Sequence, residues 1–111
     1  MVKFMGYIFS TVWFPPHKGE EIAKKFLEVA KKFPPDRSLG KTLFPGALMR
    51  TQSGIKSISM FEVKDGKLEA AIERVNQVLA AYSEIEGVNS TVELMATLAE
   101  SFELIGLKAP E

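Results

Sequence analysis

The chain opens with an unusually apolar stretch over residues 3–14, which ends at Pro15 and Pro16. Side chains alternate between the two faces of a strand, and both faces of this stretch are mainly apolar. One face has Phe4, Gly6, Ile8, Ser10, Val12 and Phe14, and the other has Met5, Tyr7, Phe9, Thr11 and Trp13. The pattern predicts a strand that is covered on both sides. It does not decide which face meets which cover.

A helix is predicted after the two prolines. Apolar residues recur at the three-and-four spacing of an amphipathic helix over residues 18–33, and Pro34 and Pro35 end it. The opposite face contains acid-before-base pairs four residues apart, which stabilise a helix. These pairs are Glu20 with Lys24, Glu21 with Lys25 and Glu28 with Lys32. This charged face is predicted to be solvated.

Two strands joined by a tight turn are predicted next. Residues 41–51 are strand-like, but Pro45 and Gly46 interrupt them, and a proline confines a strand to a sheet edge or marks a bulge. Residues 52–54 have turn chemistry, and the alternating residues 55–63 follow. The sequence therefore predicts a hairpin whose first strand is a kinked edge strand.

The second half of the chain repeats the order of helix and strand. Residues 67–85 have one apolar stripe at helical spacing, and Asp65 is the predicted N-cap. Residues 88–96 are predicted to form a fourth strand. Thr97 and Glu100 then have the spacing of a capping box, which predicts a short terminal helix.

The predicted order is strand, helix, strand, strand, helix, strand over a single domain, residues 1–111. This is an α+β fold of the ferredoxin-like βαββαβ type, with a four-stranded antiparallel sheet and a short C-terminal helix. Right-handed crossovers place the first and third strands centrally and both long helices on one face. The second face of the opening strand then needs a cover from outside its own chain.

This combination of features resembles the dimeric α+β barrel superfamily. The shared features are the length, the element order, the aromatic first strand, the long kinked second strand and the short tail helix. The resemblance implies a homodimer that pairs its sheets face to face. The superfamily includes cofactor-independent monooxygenases, haem-degrading oxygenases, lactone isomerases and stress-related proteins, and the fold alone does not select among them. The haem-degrading members have an axial histidine on a later helix, whereas residues 67–85 contain no histidine, so no cofactor is implied.

Composition narrows the choice of partners. The 14 basic and 14 acidic residues cancel, so the chain has no net charge that favours nucleic acid or an anionic membrane. It has no cysteine and a single histidine, which excludes thiolate chemistry and predicts no metal site. The opening stretch is shorter than the roughly twenty apolar residues of a membrane span and has no signal cleavage site. A cytoplasmic location is expected.

Three separate residues are candidates for catalysis. His17 has a side chain suited to general base chemistry, Arg50 presents a planar fork that binds carboxylates, and Glu93 becomes a base if burial raises its pKa. Each has a plainer interpretation. His17 is then an exposed residue at a helix entry, Arg50 forms a surface or intersubunit salt bridge, and Glu93 faces water.

The best candidate for ligand binding is the strand face with Tyr7, Phe9, Thr11 and Trp13, because aromatic walls with a few hydroxyls line small-ligand pockets. The alternative is that these side chains only pack an interface. Two functions follow. The first is a non-enzymatic homodimer that holds a small apolar or aromatic ligand between its paired sheets. The second is a cofactor-independent monooxygenase or isomerase that acts on a small aromatic or lactone-like molecule.

Overall fold

The structure of the protein is a computed structural model that describes residues 6–108 and residue 110. Its elements are β1 (Tyr7–Phe14), a short 3₁₀ turn (Pro16–Lys18), α1 (Gly19–Lys32), β2 (Gly40–Thr51), β3 (Gly54–Val63), α2 (Leu68–Tyr82), β4 (Asn89–Met95) and α3 (Leu98–Leu104). The predicted α+β class is confirmed. The first residues of the predicted opening strand, including Phe4 and Met5, lie outside the described part.

The four strands form one antiparallel sheet in the order β2-β3-β1-β4. The first and third strands are therefore central, as the sequence predicts. The register between β1 and β3 is unbroken, from Tyr7 opposite Glu62 to Phe14 opposite Ile55. An unbroken register means that side chains alternate strictly between the two faces along both strands.

The edge strand β2 is irregular where the sequence predicts a kink. Its register against β3 shifts twice, between Thr42 and Phe44 and between Phe44 and Ala47. Pro45 lies inside the second shift, and because proline has no N–H it cannot take part in a regular ladder. The prediction of a kinked edge strand is confirmed.

The apolar core lies on one side of the sheet, under α2. Ile8 of β1, Val63 of β3 and Ala71 of α2 are buried and pack together. Since side chains alternate along β1, the other register must face away from α2. That register contains Tyr7, Phe9, Thr11 and Trp13, which we call the aromatic face. The orientation that the sequence leaves open is thereby decided.

Helix α1 packs beside α2, and a network of polar contacts joins them. Lys25 Nζ of α1 donates a hydrogen bond of 2.9 Å to Glu84 Oε2, just after α2. Arg74 of α2 lies 5.2 Å from the ring centroid of Phe33 and donates to the carbonyl oxygen of Pro34. The Arg74 contacts fix the end of α1 against the middle of α2, and the Lys25 contact fixes the middle of α1 against the end of α2.

The predicted charge pairs on α1 are only partly formed. Lys24 lies 3.4 Å from Glu20, as expected for residues four apart on a helix. Lys25 instead contacts Glu28 and Glu84, and Glu21 pairs with Lys18. A tertiary partner therefore replaces the predicted pairing of Lys25 with Glu21.

The predicted N-cap of α2 is wrong. Lys67 occupies the N-cap position with no side-chain cap bond, and its N–H donates to the Lys64 carbonyl at 3.0 Å. Asp65 lies in the turn between them, and Gly66 has a φ of +76°. The turn places Asp65 two residues before the N-cap position, too early to cap the helix.

The short helix α3 has a local capping motif at each end. The Glu100 N–H donates to Thr97 Oγ1 at 3.0 Å, and the Thr97 N–H donates to Glu100 Oε1 at 2.9 Å, so the predicted capping box is confirmed. At the other end Gly106 has a φ of +77°, and the Leu107 N–H donates to the Phe102 carbonyl at 2.9 Å. This is the Schellman arrangement that ends many helices.

Many large apolar side chains of the described residues are exposed. They lie on α1 (Phe26, Leu27), β2 (Leu43, Leu48, Met49), β4 (Leu94, Met95) and the C-terminal region (Leu98, Leu104, Ile105, Leu107). A surface with this much apolar area is typical of a chain that associates with another molecule. Within the described ranges, no helix has the length and apolar character needed to span a membrane.

Candidate functional site

The aromatic face continues across its two neighbouring strands. Phe9 lies opposite Met60 of β3 and Glu93 of β4, and Thr11 lies opposite Ile58 and Thr91. Directly opposite residues share a face of the sheet. The centre of this surface is therefore apolar, with one carboxylate towards the β4 edge.

The two ends of the same surface have charged side chains. Trp13 lies opposite Lys56, and Tyr7 lies opposite Glu62, which in turn lies opposite Lys41 of β2. Lys56 Nζ is 5.8 Å from the ring centroid of Trp13, within the range of a cation–π contact. The surface thus has an apolar middle, a basic end at Lys56, and an end where an acidic and a basic residue lie opposite each other.

Burial along the aromatic face is uneven. Thr11, at its centre, is only 2% exposed, whereas Tyr7, Phe9 and Trp13 remain partly exposed. Neighbouring strands and rings thus shield the hydroxyl-bearing residue while the rings still present area to solvent. The exposed parts of these three rings are available for burial against another molecule.

The three candidate catalytic residues lie apart. His17 is exposed in the 3₁₀ turn after β1. Arg50 lies opposite Ile55, which in turn lies opposite Phe14, so Arg50 is on the α2 side of the sheet. Glu93 is exposed on the aromatic face.

Strand geometry gives the separation of Arg50 and Glu93. Their registers differ by five residues along β1, about 16 Å, and their strands are three spacings apart, about 14 Å. The two Cα positions are therefore roughly 20 Å apart. A single chain does not bring these two side chains to one substrate.

A second concave surface lies at the end of the sheet, where three connections meet. It is formed by the end of β1 with the two prolines after it, the β2–β3 turn, and the connection from α2 to β4. Its lining residues are 13–16, 50–54, 87 and 89, and its volume is about 320 Å³. We call it the sheet-end depression.

Two glycines allow the walls of the sheet-end depression to pack closely. Gly54 has a φ of +121°, and a Cβ there would lie 2.7 Å from the carbonyl oxygen of Phe14. Gly87 has a φ of +85°, and a Cβ there would lie 3.0 Å from Pro15 Cγ. Only glycine combines this backbone conformation with so close an approach. The β2–β3 turn and the α2–β4 connection are thus fixed against the end of β1.

The sheet-end depression brings together two residues that the sequence suggests separately. Trp13 and Arg50 both line it, together with Gln52, Ser53 and Asn89. Sequence reasoning missed the contributions of Gly87 and Asn89, because they approach from a connection more than seventy residues after Trp13. The one local signal was the turn glycine at position 54.

The perturbed pKa values belong to structural contacts outside these two surfaces. The hydrogen bond from Lys25 lowers the pKa of Glu84, and hydrogen bonds from the Ser38 hydroxyl and N–H lower that of Asp36. Burial raises the pKa of Tyr82. These shifts arise from pairing and burial between elements and therefore identify no acid or base at the candidate surfaces.

A wider concavity of about 540 Å³ follows α2, but its lining residues all come from that helix, between Glu69 and Ala80. With no second wall it offers little enclosure. In the part of the chain that the structure describes, no three His, Asp or Glu side chains are grouped to hold a metal ion.

Comparison of the chain with known protein families, with curated proteins and with solved structures gave no significant match. The aromatic face and the sheet-end depression are therefore the features of the chain that bear on its function.

Proposed function

We propose that the chain is a ferredoxin-like protomer of a dimeric α+β barrel, in which two copies pair their aromatic faces around a small apolar or aromatic ligand. The observation that supports this most directly is the orientation of β1. Its Ile8 side packs under α2, and the partly exposed rings of Tyr7, Phe9 and Trp13 face the other way. The strand order, with β1 and β3 central, fits the same protomer.

The chemistry of the aromatic face suits both roles. The large apolar rings supply contact area, which is the main source of affinity in an interface core. Thr11 is buried at the centre of this wall, so the partly exposed rings are what the surface offers to a second copy or to an apolar ligand. We also place the protein in the cytoplasm, because a chain that uses no cysteine suits a reducing compartment.

The proposal predicts that the unmodified protein is a dimer at micromolar concentration and that Phe9→Asp is a monomer. The substitution puts a carboxylate at the centre of the paired faces, beside Glu93 on the adjoining strand. Burying that charge without a partner costs several kcal/mol. Sedimentation velocity measures the change, and circular dichroism checks that the variant is folded.

The matched control is Phe26→Asp, which makes the same change at an exposed position on α1. It should leave the dimer intact. A folded monomer in the unmodified protein, or equal dissociation in both variants, would contradict the pairing of aromatic faces.

The ligand part of the proposal is tested separately with the neutral fluorescent probe N-phenyl-1-naphthylamine. Its fluorescence should rise on binding to the dimer and remain low with Phe9→Asp. If the protein is a dimer but the probe gives no saturable signal, the pairing of aromatic faces stands and the enclosed ligand site is contradicted.

The oxygenase or isomerase alternative has less support. Glu93 is the one of its three candidates that lies on the aromatic face, while Arg50 lies on the α2 side and His17 in the turn after β1. Catalysis there would need polar groups from the second copy. This function stays a prediction.

A further inference from the structure

We propose that, in the paired molecule, β4 of each copy lies over β2 of the other, and that Glu93 forms an ion pair there with the partner subunit's Lys41. The inference rests on the proposed pairing of aromatic faces, and it adds the alignment of the two sheets and the side chains that fix it. The strands β2 and β4 are the two edges of the sheet. A twofold pairing therefore repeats the same ion pair at both edges.

Four charged side chains lie on the same side of the sheet as the aromatic face. In the strands that the structure describes, they are Lys41 of β2, Lys56 and Glu62 of β3, and Glu93 of β4. None of them takes part in an ion pair among the described residues, and Lys41 forms none with Glu62 opposite it. Lys41 and Glu93 are exposed at the two edges. The edges of this side of the sheet are thus complementary in charge.

The strand order determines what a twofold axis along the strands brings together. The midline of the sheet lies between β3 and β1, so an axis there places β1 over the partner's β3 and β4 over the partner's β2. Glu93 is level with Phe9, and Lys41 is level with Tyr7, two residues away along the strands. Because paired sheets lie about 10 Å apart, the Cα atoms of Glu93 and the partner's Lys41 are roughly 12 Å apart. The two extended side chains are long enough to meet across this distance.

The same alignment gives the two inner charges compatible neighbours. Lys56 is level with Trp13, and Glu62 is level with Tyr7, on the adjacent strands β3 and β1. Since each β1 lies over the partner's β3, Lys56 faces the partner's Trp13, and Glu62 faces the partner's Tyr7. An ammonium group is attracted to the face of an indole ring, and a phenol hydroxyl donates a hydrogen bond to a carboxylate. In this alignment no charge of the face meets a like charge.

A twofold axis across the strands is the alternative, and it fits the charges less well. It turns the second sheet end for end and places β4 over the partner's β4. Glu93 then lies two residues along the strands from the partner's Glu93, so two carboxylates meet where the first alignment has an ion pair. Lys56 would face the partner's Glu62, but Lys56 Nζ already lies 5.8 Å from the ring centroid of its own Trp13. The charge pattern therefore favours the axis along the strands.

Charge reversal tests the ion pair. Glu93→Lys and Lys41→Glu should each raise the dissociation constant of the dimer about ten- to a hundredfold, because each replaces two attractions by two repulsions. The variant with both changes has opposite charges again, and its dissociation constant should lie within about threefold of the unmodified value. Sedimentation velocity over a dilution series, with fluorescence detection, measures these constants. Circular dichroism checks that each variant is folded.

Two controls accompany this test. Lys31→Glu makes the same charge change at an exposed position on α1 and should leave the dissociation constant unchanged. A second double variant, Lys56→Glu with Glu62→Lys, distinguishes the two alignments. Only the axis across the strands predicts that these two changes rescue each other.

The proposal is overturned if the changes at Lys41 and Glu93 do not rescue each other, or if the changes at Lys56 and Glu62 do. A dimer that Phe9→Asp dissociates but that shows no such rescue supports the pairing of aromatic faces and contradicts this alignment. If the unmodified protein is a monomer, both proposals are wrong.

Discussion

At the scale of single residues, interactions close in sequence were predictable and distant ones were not. The capping box of Thr97 and Glu100 follows from a spacing of three residues and forms as expected. Lys25 has a helical neighbour of the right charge, but it bonds to Glu84, 59 residues away. No local pattern contains that information, because the partner is chosen by how α1 packs on α2.

Gly54 offers the sharpest prediction at this scale. Gly54→Ala should lower the free energy of unfolding by about 3 kcal/mol, since it combines a strained φ with a clash against the Phe14 backbone. Urea unfolding followed by circular dichroism measures the difference.

Gly66→Ala is the matched control. Gly66 also has a positive φ, but a Cβ there meets nothing within 4 Å, so the expected loss is only the conformational cost, about 1 kcal/mol. Equal losses in both variants would show that the contact between the β2–β3 turn and β1 is unimportant for stability.

At the scale of elements, periodicity predicts the helices and strands well. Their exact boundaries, and which face of a strand meets the core, depend on tertiary packing. The predicted second helix, residues 67–85, corresponds to Leu68–Tyr82, and the predicted fourth strand, residues 88–96, corresponds to Asn89–Met95. The orientation of β1 was not predictable, because both of its faces are apolar. Only the packing of Ile8 against Ala71 decides it.

The contact between α1 and the end of α2 predicts a pH dependence. Lys25 holds the pKa of Glu84 below its ordinary value of 4.5, so the folded state favours the charged carboxylate. The resulting stabilisation is present above pH 4.5 and is lost as the pH falls through the lower, folded-state pKa. Glu84→Gln should therefore reduce stability near neutral pH and make stability less sensitive to acid.

Urea midpoints measured from pH 3 to pH 7 check this expectation, with Glu86→Gln as the control two residues along the chain. The two variants should differ most near neutral pH and converge in acid. If the stability of Glu84→Gln and of the unmodified protein changed in parallel with pH, the contact between Lys25 and Glu84 would not contribute to acid sensitivity.

At the scale of the whole molecule, the order of elements predicted the positions of the strands in the sheet, since short connections and right-handed crossovers leave few topologies. The order of elements does not predict which face of the sheet each candidate residue lies on. Arg50 and Glu93 are suitable groups on suitable strands, but they lie on opposite sides of the sheet because of the register of β2 and β4. Registers depend on bulges, and two of these lie in β2.

Association should also appear in thermal unfolding. If folding and pairing are coupled, the Tm should rise with protein concentration, because a tenfold increase adds about 1.4 kcal/mol to the stability of the folded dimer. Calorimetry over a hundredfold concentration range measures the trend. Phe9→Asp should have a Tm that does not depend on concentration, and the same independence in the unmodified protein would argue against an obligate dimer.

The irregular edge strand β2 has a consequence for how assembly stops. A straight edge can accept a strand from another molecule, which leaves a new edge free, so the addition repeats and a fibre grows. The two register shifts around Phe44 interrupt the ladder that such growth at β2 would copy. Contact through the aromatic face is different, because a twofold pairing uses the same surface on both molecules and is complete after two. The position of one proline thus favours a finite particle over polymerisation along this edge.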